Sequence, residues 1–202
     1  TLIEHNAVLE PLQELQCRGF ELTLVPPTAG GWVDARAVAD VVRDDTLLVS
    51  VMQVNNETGV IQPLDQIAEL LAGHPAYLHV DAAQGFAKEI ESLRNKRIDL
   101  ISISGHKLHA PKGIGALIAR RRGSERPPLA PLTFGGGQER GLRPGTLPVP
   151  LIVGLGLACE RALAEVKERA AINRAFRERA LQALAPLDPI LTGDQSRVVP
   201  HI

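Results

Sequence analysis

Aromatic residues are few in this sequence: four Phe with a single Trp and a single Tyr make up 3% of 202 residues. A core must therefore be assembled from Leu, Ile, Val and Ala, and an apolar content of 45% supplies enough of them. Cysteine is scarce too. Cys17 and Cys159 alone cannot build a disulfide framework, which points to a reducing, cytoplasmic setting. Neither sign of charge is in excess, with 22 Lys+Arg against 23 Asp+Glu and a net charge of -1. A nucleic-acid partner is not expected from that balance. Long apolar spans are missing as well. The uncharged stretch Leu147–Cys159 is interrupted by Pro148, Pro150, Gly154 and Gly156 and is too short for a bilayer, so no membrane partner is expected. Glycine (18) and proline (15) are plentiful but follow no period, which excludes a collagen-like chain. No basic-then-apolar leader is read at the start, and both ends, Thr1 and Ile202, read as cut from something longer.

What the chain does contain is a series of short apolar runs: Phe20–Val25, Thr46–Met52, Ala76–Val80, Asp99–Ser104 and Gly115–Ala119. Most are nearly continuous rather than alternating, which suits strands covered on both faces. Helical patterns lie between them. One runs from Ala7 to Arg18 and stops at Gly19. A second, Ala35–Val42, has Asp34 as its N-cap, and a third, Leu64–Ala72, has Pro63 at its first turn and ends at Gly73. Alternating helix and strand predicts an α/β fold with a mainly parallel sheet. From Pro148 to about Leu184 the composition turns to Ala, Leu, Glu and Arg, the pattern of one long helix or two joined ones. Pro189–Leu191 and Val198–Ile202 read as the first strands of a second domain. The expected division is a large domain over residues 1–165 and the beginning of a small α+β domain over residues 166–202.

In open α/β sheets, ligands bind beyond the carboxyl ends of the strands. Three consecutive strand ends deliver Asn56, then Asp81 with Gln84, then Ser104-Gly105-His106-Lys107. A lysine serves as an imine-forming nucleophile, and a carboxylate facing a pyridine nitrogen keeps that nitrogen protonated. Lys with Asp is the pair that pyridoxal phosphate chemistry needs. Gln84 could donate to the ring phenolate, and Ser104 with the Gly105 backbone offers phosphate ligands. Taken singly, each residue has a plain reading: a solvated lysine, a turn-forming aspartate. Their joint appearance at three successive strand ends is what favours the cofactor. His79, Asp81, His106 and His109 form a competing, weaker set of metal-ligand types with no HExxH or paired CxxC in support. The glycine-rich stretch Gly135–Thr146 holds Arg140, Arg143 and Thr146, groups suited to an anion, although an ordinary connecting loop explains it better.

Several segments together resemble the cysteine desulfurase family, the class V aminotransferase-like branch of fold-type I pyridoxal phosphate enzymes. They are Val54–Gly59, His79–Gln84, Ser104–Lys107 followed by Pro111–Gly115, Gly135–Thr146, and Glu4-His5 before Ala7-Val8-Leu9. The resemblance runs from end to end of the chain. It implies a fold-type I transferase large domain, pyridoxal 5'-phosphate as cofactor, L-cysteine as substrate, and a sulfur-acceptor or iron–sulfur scaffold protein as partner. It also implies a role for each matching residue. Lys107 would carry the cofactor and move the Cα proton. Asp81 would pair with the ring nitrogen and Gln84 with the phenolate oxygen. His5 would stack on the ring, and Asn56 would lie beside it. Ser104, Gly105 and His106 would bind the phosphate, to which Thr146 would reach from a second copy in a homodimer.

The chain departs from the family pattern in two respects, and one is an early phosphate-binding loop that is expected to precede Thr1. The family's sulfur-accepting cysteine lies on a later loop, followed by an arginine for the substrate carboxylate, and neither Cys17 nor Cys159 occupies that position. The expectation is therefore a desulfurase in sulfur metabolism whose present segment is inactive in isolation. The alternatives are a selenocysteine lyase, whose segments resemble Gly135–Arg140 and Arg143–Thr146, and a catalytically silent piece acting only through a partner chain.

Overall fold

The computed structural model describes residues 1–202. Four strands form one sheet in the order β1 (Leu48–Met52), β2 (Tyr77–Asp81), β3 (Leu100–Ser104) and β4 (Gly115–Ala119). The first three are parallel and β4 returns antiparallel to β3. Six α-helices accompany them: α1 (Asn6–Cys17), α2 (Ala35–Asp40), α3 (Leu64–Leu70), α4 (Ile90–Leu93), α5 (Val149–Ala164) and α6 (Val166–Leu184). The molecule is thus an α/β domain with a mostly parallel sheet flanked by helices, the architecture of a fold-type I large domain.

Local chemistry explains the helix starts. Asp34 caps α2 by accepting from the N–H groups of Arg36 (2.8 Å) and Ala37 (3.1 Å). His5 caps α1, its Nδ1 accepting from Ala7 N at 3.1 Å. Pro11 lies in the second turn of α1, where it leaves the Ala7 carbonyl without its intrahelical donor.

The strands follow the pleat. Val51, Leu78, Val80 and Ile101 pack on one side of the sheet with Val38 of α2 and Leu64, Ile67 and Ala68 of α3. Leu64, Ile67, Leu78, Ile98 and Ile101 are fully buried or nearly so, and each such side chain contributes about 2 kcal/mol by removal from water. A second, small cluster of Ala87, Leu108 and Ala162 seats α5 on the turn that follows β3.

Three expectations need correction. Phe20–Val25 forms no strand and joins no sheet; Val25 is buried while Phe20 remains 51% exposed. The segments expected as strands at the C-terminal end are irregular. Val198 makes only an isolated bridge to Val60, with Val199 N bonded to Gly59 O and Val199 fully buried. And β4, read as covered on both faces, is exposed at every position. The helical stretch after Pro148 proves to be two helices divided at Glu165, whose carboxylate pairs with Arg169. No helix is long and apolar enough to cross a membrane.

Candidate active site

Opposite the apolar face, the pleat places Ser50 of β1, His79 and Asp81 of β2, and Ser102 and Ser104 of β3 on one side of the sheet. His79 ties three strands together there. Its Nδ1 lies 2.8 Å from Ser50 Oγ and its Nε2 2.8 Å from Ser102 Oγ. One hydroxyl donates to the ring and the other accepts from it, which a neutral imidazole satisfies fully. Burial holds the His79 pKa below its usual value, against the opposing carboxylates of Glu4 and Asp81. This crosspiece sits two residues before Asp81 and fixes the spacing of the strand ends that matter. Its three members stand as polar residues inside apolar runs, but nothing in the sequence said that they meet.

The exit from β1 is held by Asn55. Its Oδ1 accepts from Glu57 N (3.0 Å), Thr58 N (3.0 Å) and Thr58 Oγ1 (3.2 Å), while Nδ2 donates to Ile3 O at 3.2 Å. That turn presents the half-buried Asn56, and it joins the β1 end to the segment carrying His5. Glu4, beside His5, is buried. Its Oε1 accepts from Met52 N at 2.8 Å and Thr1 Oγ1 at 2.6 Å, and its Oε2 is buried with no partner. His5 itself is exposed, with only Nδ1 used in capping.

At the end of β2, Asp81 accepts from Ala83 N through Oδ1 (2.9 Å), which fixes the carboxyl group at the strand end. Gln84 follows, and its carbonyl accepts from Lys88 Nζ at 3.1 Å. At the end of β3 the chain enters a 3-10 turn, Gly105–Leu108. Gly105 is required there, since a Cβ would lie 2.7 Å from Ile114 O. Ser104 Oγ and His106 Nδ1 are 3.0 Å apart and form a joint donor–acceptor pair.

The parallel sheet therefore brings Asn56, Asp81, Gln84 and Ser104–Lys107 to one edge. It shows no contact between Asp81 and Lys107. The Lys107 side chain lines a cavity of about 300 Å³ shared with Lys88, Arg169 and His201, and no other residue expected at the cofactor lines it. Thr146 lies in an exposed loop, where Gly145 N donates to Gln138 Oε1 at 3.0 Å. The four metal-ligand types do not gather into one group: both His79 nitrogens face serines, and no three His, Cys, Asp or Glu side chains come together to hold an ion. The donor set at the edge (a carboxylate, an amine, and a hydroxyl–imidazole pair beside a buried glycine) fits the ring nitrogen, aldehyde carbon and phosphate of pyridoxal phosphate.

The mostly parallel sheet flanked by helices is the architecture of aminotransferase-like proteins, and comparison with known proteins agrees. Residues 1–199 match the aminotransferase class-V family profile. Cysteine desulfurase IscS of Colwellia psychrerythraea is 43% identical over 98% of this chain and 48% of its own length. DndA from Streptomyces lividans superimposes with a TM-score of 0.95 at 53% identity, over 99% of this chain and 56% of that one. SspA, solved in complex with cysteine, gives a TM-score of 0.72 at 44% identity, over 79% of this chain and 46% of that one. The chain belongs to the class V aminotransferase family, as a partial-length relative of the cysteine desulfurases. It spans about half the length of the curated relatives it matches.

Proposed function

We propose that this chain is the cofactor-bearing part of a pyridoxal 5'-phosphate-dependent cysteine desulfurase. The reaction takes sulfur from L-cysteine, leaves L-alanine, and passes a protein-bound persulfide to a sulfur-acceptor or iron–sulfur scaffold protein in the cytoplasm. The observation that carries this reading is the delivery of Asp81 and the Lys107 turn to the same edge by adjacent parallel strands, in a chain whose relatives are cysteine desulfurases. When bound, the cofactor supplies an electron sink for negative charge at the substrate Cα.

The side chains have separate tasks. Lys107 would hold the cofactor through its amine and would move the proton at the substrate Cα. Asp81 holds a proton on the ring nitrogen, its carboxyl oriented by Ala83 N. Gln84 would donate to the phenolate oxygen, and His5 would stack on the ring. Ser104, Gly105 and His106 bind the phosphate, with Thr146 of a second copy completing that site in a homodimer. Asn56, positioned by the Asn55 turn, lies toward the substrate carboxylate. Residues 1–165 act as the large domain and residues 166–202 begin the small one.

The test uses full-length protein loaded with pyridoxal phosphate and measures alanine formed from L-cysteine and from L-selenocysteine. Turnover of cysteine that is lost with Asp81→Ala supports the assignment. Turnover of selenocysteine alone would transfer it to a selenocysteine lyase, and a loaded protein that converts neither substrate would refute it.

A further inference from the structure

The cavity beside the Lys107 turn shares only that lysine with the residues assigned to the cofactor. Its walls come from the segment after β2 (Ala87–Glu89), the Lys107–His109 turn, the start of α6, and Pro200-His201. At about 300 Å³ it lies at the low end of small-molecule sites. Three cationic side chains from three separate elements converge on it: Lys88, Lys107 and Arg169. Lys88 has one acceptor, the Gln84 carbonyl, and no ion pair. Arg169 gives Nε (2.9 Å) and Nη2 (2.6 Å) to Glu165 Oε2 and keeps Nη1 free. His201 contributes a ring nitrogen, Nε2, that is buried with no partner. Glu89 also lies in the wall, and burial raises the pKa of its carboxyl group against the pull of Arg174. A lysine without an ion pair, a guanidinium nitrogen left over from its pair, and an orphaned imidazole nitrogen lining one cavity call for an anion.

We propose that this cavity binds a small phosphate-class oxyanion, separately from the phosphate cradle at Ser104–His106, with Lys88, Arg169 and His201 as its donors. Donors supplied by three separate elements suit a tetrahedral group better than a planar carboxylate. Apolar walls at Leu108 and Ala162 leave room for the small organic body of a phosphate ester. The crowding is already felt by Lys88, whose pKa is driven down to about 8 by burial first and then by the charges of Lys107 and Arg169. A bound anion reverses that pressure. His201, held at about 4 by burial and then by Lys88, takes up a proton beside the anion and donates from both ring nitrogens.

The experiment uses the intact protein without cofactor, titrated by calorimetry with inorganic phosphate and with glycerol 3-phosphate. Lys88→Met and Arg169→Met should each weaken binding by about tenfold or more, whereas Lys88→Arg, which keeps the charge, should retain it. Ser104→Ala, which alters the cofactor cradle, should leave this affinity unchanged. In parallel, the NMR titration of ¹³C-methylated Lys88 should move upward from about 8 when phosphate is bound. Tighter binding of the ester identifies an organic occupant, and equal binding a free anion; either supports the site. Absence of binding, binding indifferent to both Met substitutions, or binding lost with Ser104→Ala alone overturns it. No arm requires pyridoxal phosphate, so the cofactor assignment and this site stand or fall separately.

Discussion

Asp99 offers the sharpest energetic test of how the sheet is held at the edge away from the site. Its side chain is 4% exposed and accepts four hydrogen bonds: Leu78 N (2.7 Å) and Arg97 Nη1 (2.8 Å) on Oδ2, and Arg122 Nη2 (2.8 Å, Oδ2) and Nε (2.7 Å, Oδ1). Breaking a buried pair from one side costs about 3–5 kcal/mol when the remaining charge is stranded. Here neither guanidinium is left bare. Arg97 keeps the carbonyls of Leu71, His74 and Ala76, and Arg122 keeps those of Pro75 and Ala76 and stacks 4.6 Å from the Tyr77 ring centroid. Arg122 is also 36% exposed, so water screens part of its charge. Asp99→Ala should therefore cost about 3 kcal/mol, the lower end of the range, most of it from the unpaired Leu78 amide and the desolvated Arg97. Urea unfolding at pH 7 measures this. Burial pushes the Asp99 carboxyl up, but hydrogen bonds from Arg122 and the Leu78 amide and the charges of Arg122 and Arg97 outweigh it, so its folded pKa is lowered. Its stabilisation is complete above about pH 4 and is lost as pH falls through that lower folded value. The variant should lack that acid limb. A loss under about 1 kcal/mol, or an unchanged acid limb, would refute the reasoning.

Two further substitutions probe the site edge. His79→Ala removes both hydroxyl partners and should cost about 2–3 kcal/mol in urea unfolding. Because burial lowers the His79 pKa, the unfolded chain protonates first. The wild-type contribution is full above about pH 6.5 and declines as pH falls below it, and His79→Gln should remove that slope. Gly105→Ala forces a Cβ to within 2.7 Å of a backbone carbonyl, and should lower stability by about 1–3 kcal/mol and weaken pyridoxal phosphate binding measured by absorbance.

Strand positions β1 to β4 were legible because apolar runs bounded by turn residues leave little choice of period, and the Asp34 cap was legible from one side chain. Phe20–Val25 shows the limit of that reading. An apolar run predicts extended chain, but whether it finds a strand to pair with depends on neighbours far along the sequence. The same holds at Val198–Ile202, where burial of Val199 against the Val60 turn takes the place of a strand. In the site, strand-end chemistry located Asp81, Gln84 and Ser104–Lys107 because a parallel sheet necessarily gathers such ends. The His79 crosspiece, the buried Glu4 and the Asn55 turn went unread as a unit, since each joins groups 23 or more residues apart or relies on a backbone amide. The cationic cavity is less legible still, because Lys88, Lys107, Arg169 and His201 belong to four unrelated stretches.

The claim on which the functional reading depends is that the Lys107 amine captures pyridoxal phosphate at the Asp81 edge of the sheet. Borohydride reduction of the pyridoxal phosphate-treated protein, followed by peptide mapping, tests it directly. A stoichiometric pyridoxyl group on the peptide containing Lys107, absent from Lys107→Ala, is the predicted result. Stoichiometric label on Lys88 or another lysine, with Lys107 unmodified, would contradict it.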